Sequence, residues 1–226
     1  MIRYVSPPVD DDRTADGGES VTVLGSVSPT TAAFVAGLVL VLANLTGIVA
    51  SALGIAEYWP PGERGWQFYA HWGISQLLNA ILFALAYLDW NSLGLPRVTA
   101  FVAGATLFGG GFAVALAAGY DLGVEETKGL SGELRTGGWY RYSRNPQYVG
   151  YIAATVGFAV LANSTLVAVV CALFLGWWLA LPFAEEPWLR ERYGEEYERY
   201  AERVPRFVGL RTVRAIAETD GVSTSR

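Results

Sequence analysis

The sequence predicts an all-α, polytopic helical membrane protein of about five transmembrane helices, ending in a C-terminal helical hairpin and a cytoplasmic amphipathic tail. Three observations predict it. Hydrophobic residues make up 52% of the chain and charged ones only 16%, with the charges gathered toward the two ends. Between polar stretches at 1–28 and 185–226, four segments reach the roughly 20 apolar residues that a spanning helix needs. Trp59, Trp66, Trp90, Trp139, Trp177, Trp178 and Trp188 lie mostly near segment ends, as in an interfacial aromatic belt.

Residues 1–28 carry Asp10, Asp11, Asp12, Asp16 and Glu19 among Pro, Gly and Ser without apolar periodicity, and read as a disordered acidic tail. A basic start running straight into an apolar stretch is missing, so insertion is expected to depend on the first spanning helix. Spans are expected at about 32–56, 66–88, 98–120, 148–162 and 165–184, making a transmembrane domain of 29–184. The 148–162 segment is short. Asn163 and Ser164 leave room only for a tight turn before the next span, and Pro146 suits the first turn of a helix, where its missing N–H is harmless. A cytoplasmic helical segment is expected over 185–210 and a flexible C-terminus over 211–226.

Five spans bring loops 57–65 and 121–147 to one side together with the tail. That side holds 13 basic residues against 3 on the other, which marks it as cytoplasmic and puts the N-terminus outside. A net charge of −5 argues against nucleic acid as a partner. Cys171 is the single cysteine, so neither an internal disulfide nor a cysteine-based zinc site can form, and no metal is expected.

Chemistry is concentrated in two stretches. The first, Gly137 to Gly150, places Arg141, Arg144, Asn145 and three tyrosines where the chain re-enters the membrane. The helix N-terminus there favours a ligand carboxylate or phosphate, although the arginines also fit plain positive-inside anchors. The second begins at Glu185-Glu186-Pro187-Trp188. Paired carboxylates at a membrane exit are costly unless partnered or functional, and they suit a cationic ligand. Past Gly194, the Glu195 to Arg199 spacing reads as a solvated amphipathic helix.

The order Arg-Asn-Pro-x-Tyr-x-Gly, a two-span hairpin, Glu-Glu-x-x-Leu, Tyr-Gly-x-Glu-Tyr-x-x-Tyr and Arg-Val-Pro resembles the C-terminal half of the integral-membrane methyltransferases. That family includes the isoprenylcysteine carboxyl methyltransferases and the phospholipid N-methyltransferases. The likeness covers about residues 137–207, with Arg144-Asn145-Pro146 where family members usually have Arg-His-Pro; Asn145 can still donate and accept a hydrogen bond but cannot titrate. The resemblance implies S-adenosyl-L-methionine as cofactor, held between the cytoplasmic ends of the hairpin and the 185–210 segment.

It implies cofactor-binding roles for Arg144, Asn145, Pro146, Tyr148, Gly150, Glu185 and Glu186, and, by analogy with a Gly-x-Gly of the third span, for Gly109 and Gly111. Small residues in spanning helices also serve close packing. Arg144 and Glu186 are the expected catalytic pair. His71 is the third candidate, because Gln67, His71, Ser75 and Asn79 recur every four residues as a polar stripe of ~18 Å that should face protein or a wet cavity. The acceptor is expected to be a lipid-like or prenylated molecule, with a carboxylate slightly favoured over a phospholipid amine. An NADPH-dependent sterol or enone reductase and a non-catalytic scaffold are the competing readings. The Glu185-Glu186 pair would sit badly beside dinucleotide phosphates.

Overall fold

The computed structural model describes residues 27–209 and Thr212. The tail expected over 1–28, up to residue 26, and the C-terminus expected over 211–226, apart from Thr212, lie outside the described residues. The elements are α1 (Pro29–Ala52), α2 (Trp66–Leu88), α3 (Arg97–Leu122), the single turn α4 (Val124–Thr127), a 3-10 turn (Gly138–Arg141), α5 (Pro146–Ala162) and α6 (Thr165–Arg203). Four of them, α1, α2, α3 and α6, are long and apolar enough to cross a membrane, and α5 is a shorter apolar helix.

Local chemistry sets the boundaries. Ser28 caps α1, its Oγ accepting from Thr31 N–H at 3.1 Å, with Pro29 in the first turn. The first span ends at Ala52, short of the expected 56. The Ser51 hydroxyl there accepts the N–H groups of Tyr58 and Trp59 at 2.9 and 3.0 Å and folds both rings back inside. Between α5 and α6 the chain turns within two residues: Asn163 takes the left-handed conformation (φ 49°) and Ser164 caps α6 by accepting from Val167 N–H at 3.1 Å.

The larger departure concerns α6. Helix continues through the expected boundary at 184 to Arg203, interrupted only at Gly194 (φ 53°, ψ −130°), a conformation favouring glycine. At 1.5 Å per residue the stretch from Thr165 to the kink at Gly194 reaches about 44 Å, already past a hydrocarbon core of roughly 30 Å, and Tyr197 and Tyr200 in the turns beyond the kink line the mouth of the bundle.

Two packing units build the bundle. α1 lies against α2 and α6 around Val41, Ile48, Leu78, Leu85, Val170 and Trp177, all nearly inaccessible. α3 runs along α5 through a seam of small residues. A Cβ on Gly150 would stand 2.5 Å from Ala115 N and 2.6 Å from Gly111 O, and one on Gly111 2.5 Å from Ala154 N. Backbone atoms cannot yield as a flexible side chain does. Gly150→Ala is therefore expected to lower stability by about 1–3 kcal/mol, read as a lower Tm in detergent.

Loop 57–65 and the segment after α3 meet at one end of the bundle, where Gly62 N–H donates to Gly129 O at 3.0 Å and Ser131 N–H to Gly62 O at 3.1 Å. Segment 89–96 and the α5–α6 turn meet at the other, where Leu93 N–H donates to Asn163 O at 2.8 Å. Here Asp89 Oδ2 accepts from Ser164 Oγ (2.5 Å), Ser92 Oγ (2.7 Å) and Leu166 N–H (3.3 Å). Burial acts to raise this carboxyl, but the three hydrogen bonds outweigh it and hold Asp89 below its ordinary 3.8. Its contribution is thus complete above the unfolded value and is lost as pH falls through the lower folded one. Asp89→Ala should cost about 1 kcal/mol near neutral pH, with the difference from wild type vanishing in acid. Thermal unfolding across a pH series checks it.

Candidate active site

The two chemistry-bearing stretches come together at the end of the bundle where α6 emerges. The Arg-Asn-Pro turn is clamped by the Arg-Val-Pro segment: Arg144 N–H donates to Pro205 O at 2.9 Å, and Asn145 Nδ2 and Ser143 Oγ donate to Arg206 O at 2.9 and 3.2 Å. Motifs 60 residues apart in sequence thus form one strap. Asn145 uses its amide to hold that strap, a role in which a titratable group is not needed.

Glu186 is the centre of a charge cluster. Its side chain is 5% exposed, and Arg206 binds it in a fork, Nε to Oε1 at 2.6 Å and Nη2 to Oε2 at 2.9 Å. Arg144 Nη1 lies 3.2 Å from Oε1 and Arg190 Nη2 3.5 Å from Oε2. Hydrogen bonding to Glu186 raises the Arg206 guanidinium above its already high value, so it stays charged at every accessible pH. Arg144 Nη1 also donates to Tyr197 Oη at 3.1 Å, while its buried Nε has no partner.

Glu185, its neighbour in sequence, turns to different partners. Oε1 accepts from Trp59 Nε1 at 2.7 Å and from the Tyr148 hydroxyl. The acidic pair is therefore split: one carboxylate is neutralised by arginines, and the other is held by an indole and a phenol. Nearby, burial and then the Glu185 charge push the Tyr140 phenol up, which keeps it neutral. The Tyr140 carbonyl accepts from Tyr200 Oη at 2.7 Å.

Two cavities adjoin these groups. The outer one opens at the mouth and is lined by Tyr140, Arg144, Asn145, Glu185 and Glu186 among others. The inner one lies between the helices and is lined largely by aromatic rings with His71, Ser75 and Asn79. Thr127, Gln147 and Tyr148 line both and form the partition.

The predicted residues thus fall into three groups. Arg144, Asn145, Tyr148, Glu185 and Glu186 meet at the outer cavity. His71 lies on the inner one, 4% exposed, its ring stacked 4.0 Å from that of Trp59 and its Nδ1 without a partner. Pro146 and Gly150 shape α5 without lining either cavity, and Gly111 closes the α3–α5 seam while Gly109 is exposed with open space at its Cβ. Neither Gly109 nor Gly111 reaches the outer cavity, because that cavity lies beyond the turns of α3 that carry them. Ser75 and Asn79 donate to carbonyls four residues back in their own helix, at 2.5 and 2.9 Å.

Sequence reasoning missed Arg206, Trp59 and Gln147. Arg206 directly follows Arg-Val-Pro and could have been found as a charge beside a motif; nothing local marks Trp59 or Gln147.

Residues 99–196, from α3 past Gly194, match the phospholipid methyltransferase family. The particular relative is protein-S-isoprenylcysteine O-methyltransferase B of Arabidopsis thaliana, 33% identical over 75 residues, 32% of this chain and 38% of the relative. The chain thus matches well under half of that relative's length. No solved structure matches.

Proposed function

We propose that the protein is a membrane-embedded, S-adenosylmethionine-dependent methyltransferase that binds its cofactor in the outer cavity and a lipid-like acceptor in the inner one. The observation that carries this reading is the shared partition: Thr127, Gln147 and Tyr148 line both a polar pocket at the mouth and an apolar pocket among the helices. Methyl transfer needs a water-soluble donor and an apolar acceptor to meet in line, away from water.

The residues fit the cofactor. The orphaned Arg144 Nε is a buried donor suited to a carboxylate, and Glu185, with no arginine among its described partners, is a carboxylate suited to the sulfonium. Bound there, S-adenosylmethionine supplies an electrophilic methyl carbon. Arg144 binds and Tyr148 and Asn145 line the site; Glu186, saturated by its arginines, fixes Arg144 in place. His71 belongs to the acceptor side. Gly109 and Gly111 take no part in this reading.

The charge excess assigns the mouth to the cytoplasm and the N-terminus to the outside. Carboxyl O-methylation of a prenyl-cysteine-like acceptor has the plant relative in its favour, and an ethanolamine-type acceptor has the family match.

Calorimetry on the detergent-purified protein tests the reading. S-adenosylhomocysteine should bind with micromolar Kd, and Arg144→Ala should weaken it at least tenfold, about 1.4 kcal/mol, without unfolding the protein. NADPH binding in its place would move the chain to the reductases, and binding of neither would leave a scaffold.

A further inference from the structure

We propose that the inner cavity admits a methyl acceptor that is uncharged and carries a proton on its nucleophilic oxygen, a phenol-like hydroxyl on an apolar tail, and that Tyr148, backed by Glu185, accepts that proton. The inference rests on the methyltransferase reading and names its acceptor class and a catalytic residue.

The first observation is the charge of the wall. Among the described residues, none lining the inner cavity is an Asp, Glu, Lys or Arg. A carboxylate or phosphate brought there would be an unpaired ion in an apolar surround, because the arginines that line the outer cavity, Arg135 and Arg144, do not line the inner one. The second is its shape. Trp59, Trp72, Tyr151, Phe174, Trp177 and Trp178 all line the space, offering ring faces and edges to a planar head group.

The third is the position of Tyr148. It lines both cavities, and its hydroxyl donates to Glu185, which lines only the outer one. Trp59, the second donor to that carboxylate, lines only the inner cavity. A phenolic oxygen that donates one hydrogen bond still accepts another, so an acceptor O–H in the inner cavity can hydrogen-bond to Tyr148 Oη. A proton then has a two-step path outward. As the acceptor oxygen's electron pair forms the new O–CH₃ bond and the electrons of the broken C–S bond stay on sulfur, the hydroxyl proton passes to Tyr148 and Tyr148's own proton to Glu185.

Charge conservation favours this arrangement. Sulfonium and Glu185 carboxylate sum to zero before transfer; thioether and Glu185 carboxylic acid sum to zero after it. A carboxylate acceptor would place two buried negative charges beside one positive one. His71 is the competing base on the inner wall, but a proton there would leave a cation packed among Trp59, Trp72 and Trp177 with no carboxylate in contact.

The test uses three amphiphiles with one tail: para-dodecylphenol, dodecanoate and dodecylamine. Without cofactor, at pH about 8, where the carboxylic acid is ionised and the phenol is not, quenching of tryptophan fluorescence reads occupancy of the aromatic wall. The phenol should bind the wild-type protein at least tenfold more tightly than dodecanoate. With S-adenosylmethionine present, the phenol should be converted to its methyl ether. Tyr148→Phe and Glu185→Gln should each lower kcat on it by about 100-fold. Preferred binding or methylation of dodecanoate or dodecylamine overturns the proposal, as does a full kcat in either variant. Failure of the wild-type protein to bind S-adenosylhomocysteine is a separate result that overturns the methyltransferase reading itself. Should Glu185→Gln misfold, Tyr148→Phe decides alone.

Discussion

Replacing Glu186 by alanine is expected to cost about 3–5 kcal/mol of stability and to abolish binding at the mouth, the largest effect of any single change at the site. Glu186 is the shared partner of Arg144, Arg190 and Arg206. The three arginines do not lose equally. Arg190 and Arg206 keep 45% and 32% of their side-chain surface exposed and can turn to water, whereas Arg144, at 11%, is left a buried and uncompensated cation. Removing one member of such a cluster is costly because the survivors lose their counter-charge without regaining hydration. The strap loosens as well, since Arg206 supplies the carbonyl that Ser143 and Asn145 hold. Glu186→Gln should recover part of the stability by keeping hydrogen-bond acceptance, but not the charge. Thermal unfolding with S-adenosylhomocysteine titration measures both effects; an alanine variant that unfolds and binds like wild type would sink this account of the cluster.

Filling the inner cavity should separate the two halves of the proposed reaction. Ser75 is buried on α2, lines that cavity and spends its hydroxyl only on the His71 carbonyl of its own helix. Ser75→Phe therefore breaks no side-chain hydrogen bond between helices and projects a ring into that cavity. Methylation of para-dodecylphenol is expected to fall at least tenfold, about 1.4 kcal/mol, through a raised acceptor KM. S-adenosylhomocysteine affinity should not change, because the outer cavity lies across the Thr127, Gln147 and Tyr148 partition. Equal loss of both would mean that the cavities are one compartment.

Much of the architecture was legible in the chain because bilayer insertion depends on local composition. The segment 66–88 matches α2 at both ends, and the turn at Asn163 and Ser164 falls where two polar residues interrupt the apolar run. The grouping of loop 57–65, segment 121–147 and the tail follows from counting spans, and their residues do meet at one end. The sequence also reads as helical past Glu185 and Glu186, and α6 runs into that segment without a break until Gly194. That Trp59, Tyr148 and three arginines satisfy the two carboxylates there is decided by the packing of distant segments.

The site shows the same division. Arg144 and the Glu185-Glu186 pair stand out by their types and place at the membrane exit, since charge there is expensive without a partner or a purpose. Their division of labour does not. The two glutamates are adjacent and chemically identical, and nothing in the sequence tells which meets arginine and which meets phenol. The same holds for Gly111, whose small size serves the close approach of α5. The existence of the apolar helices follows from the chain alone, because it depends on the transfer of a local segment between water and lipid. Pairing of charges, the partition at Tyr148 and the two cavities depend on which helix faces meet, and only the packed bundle determines that.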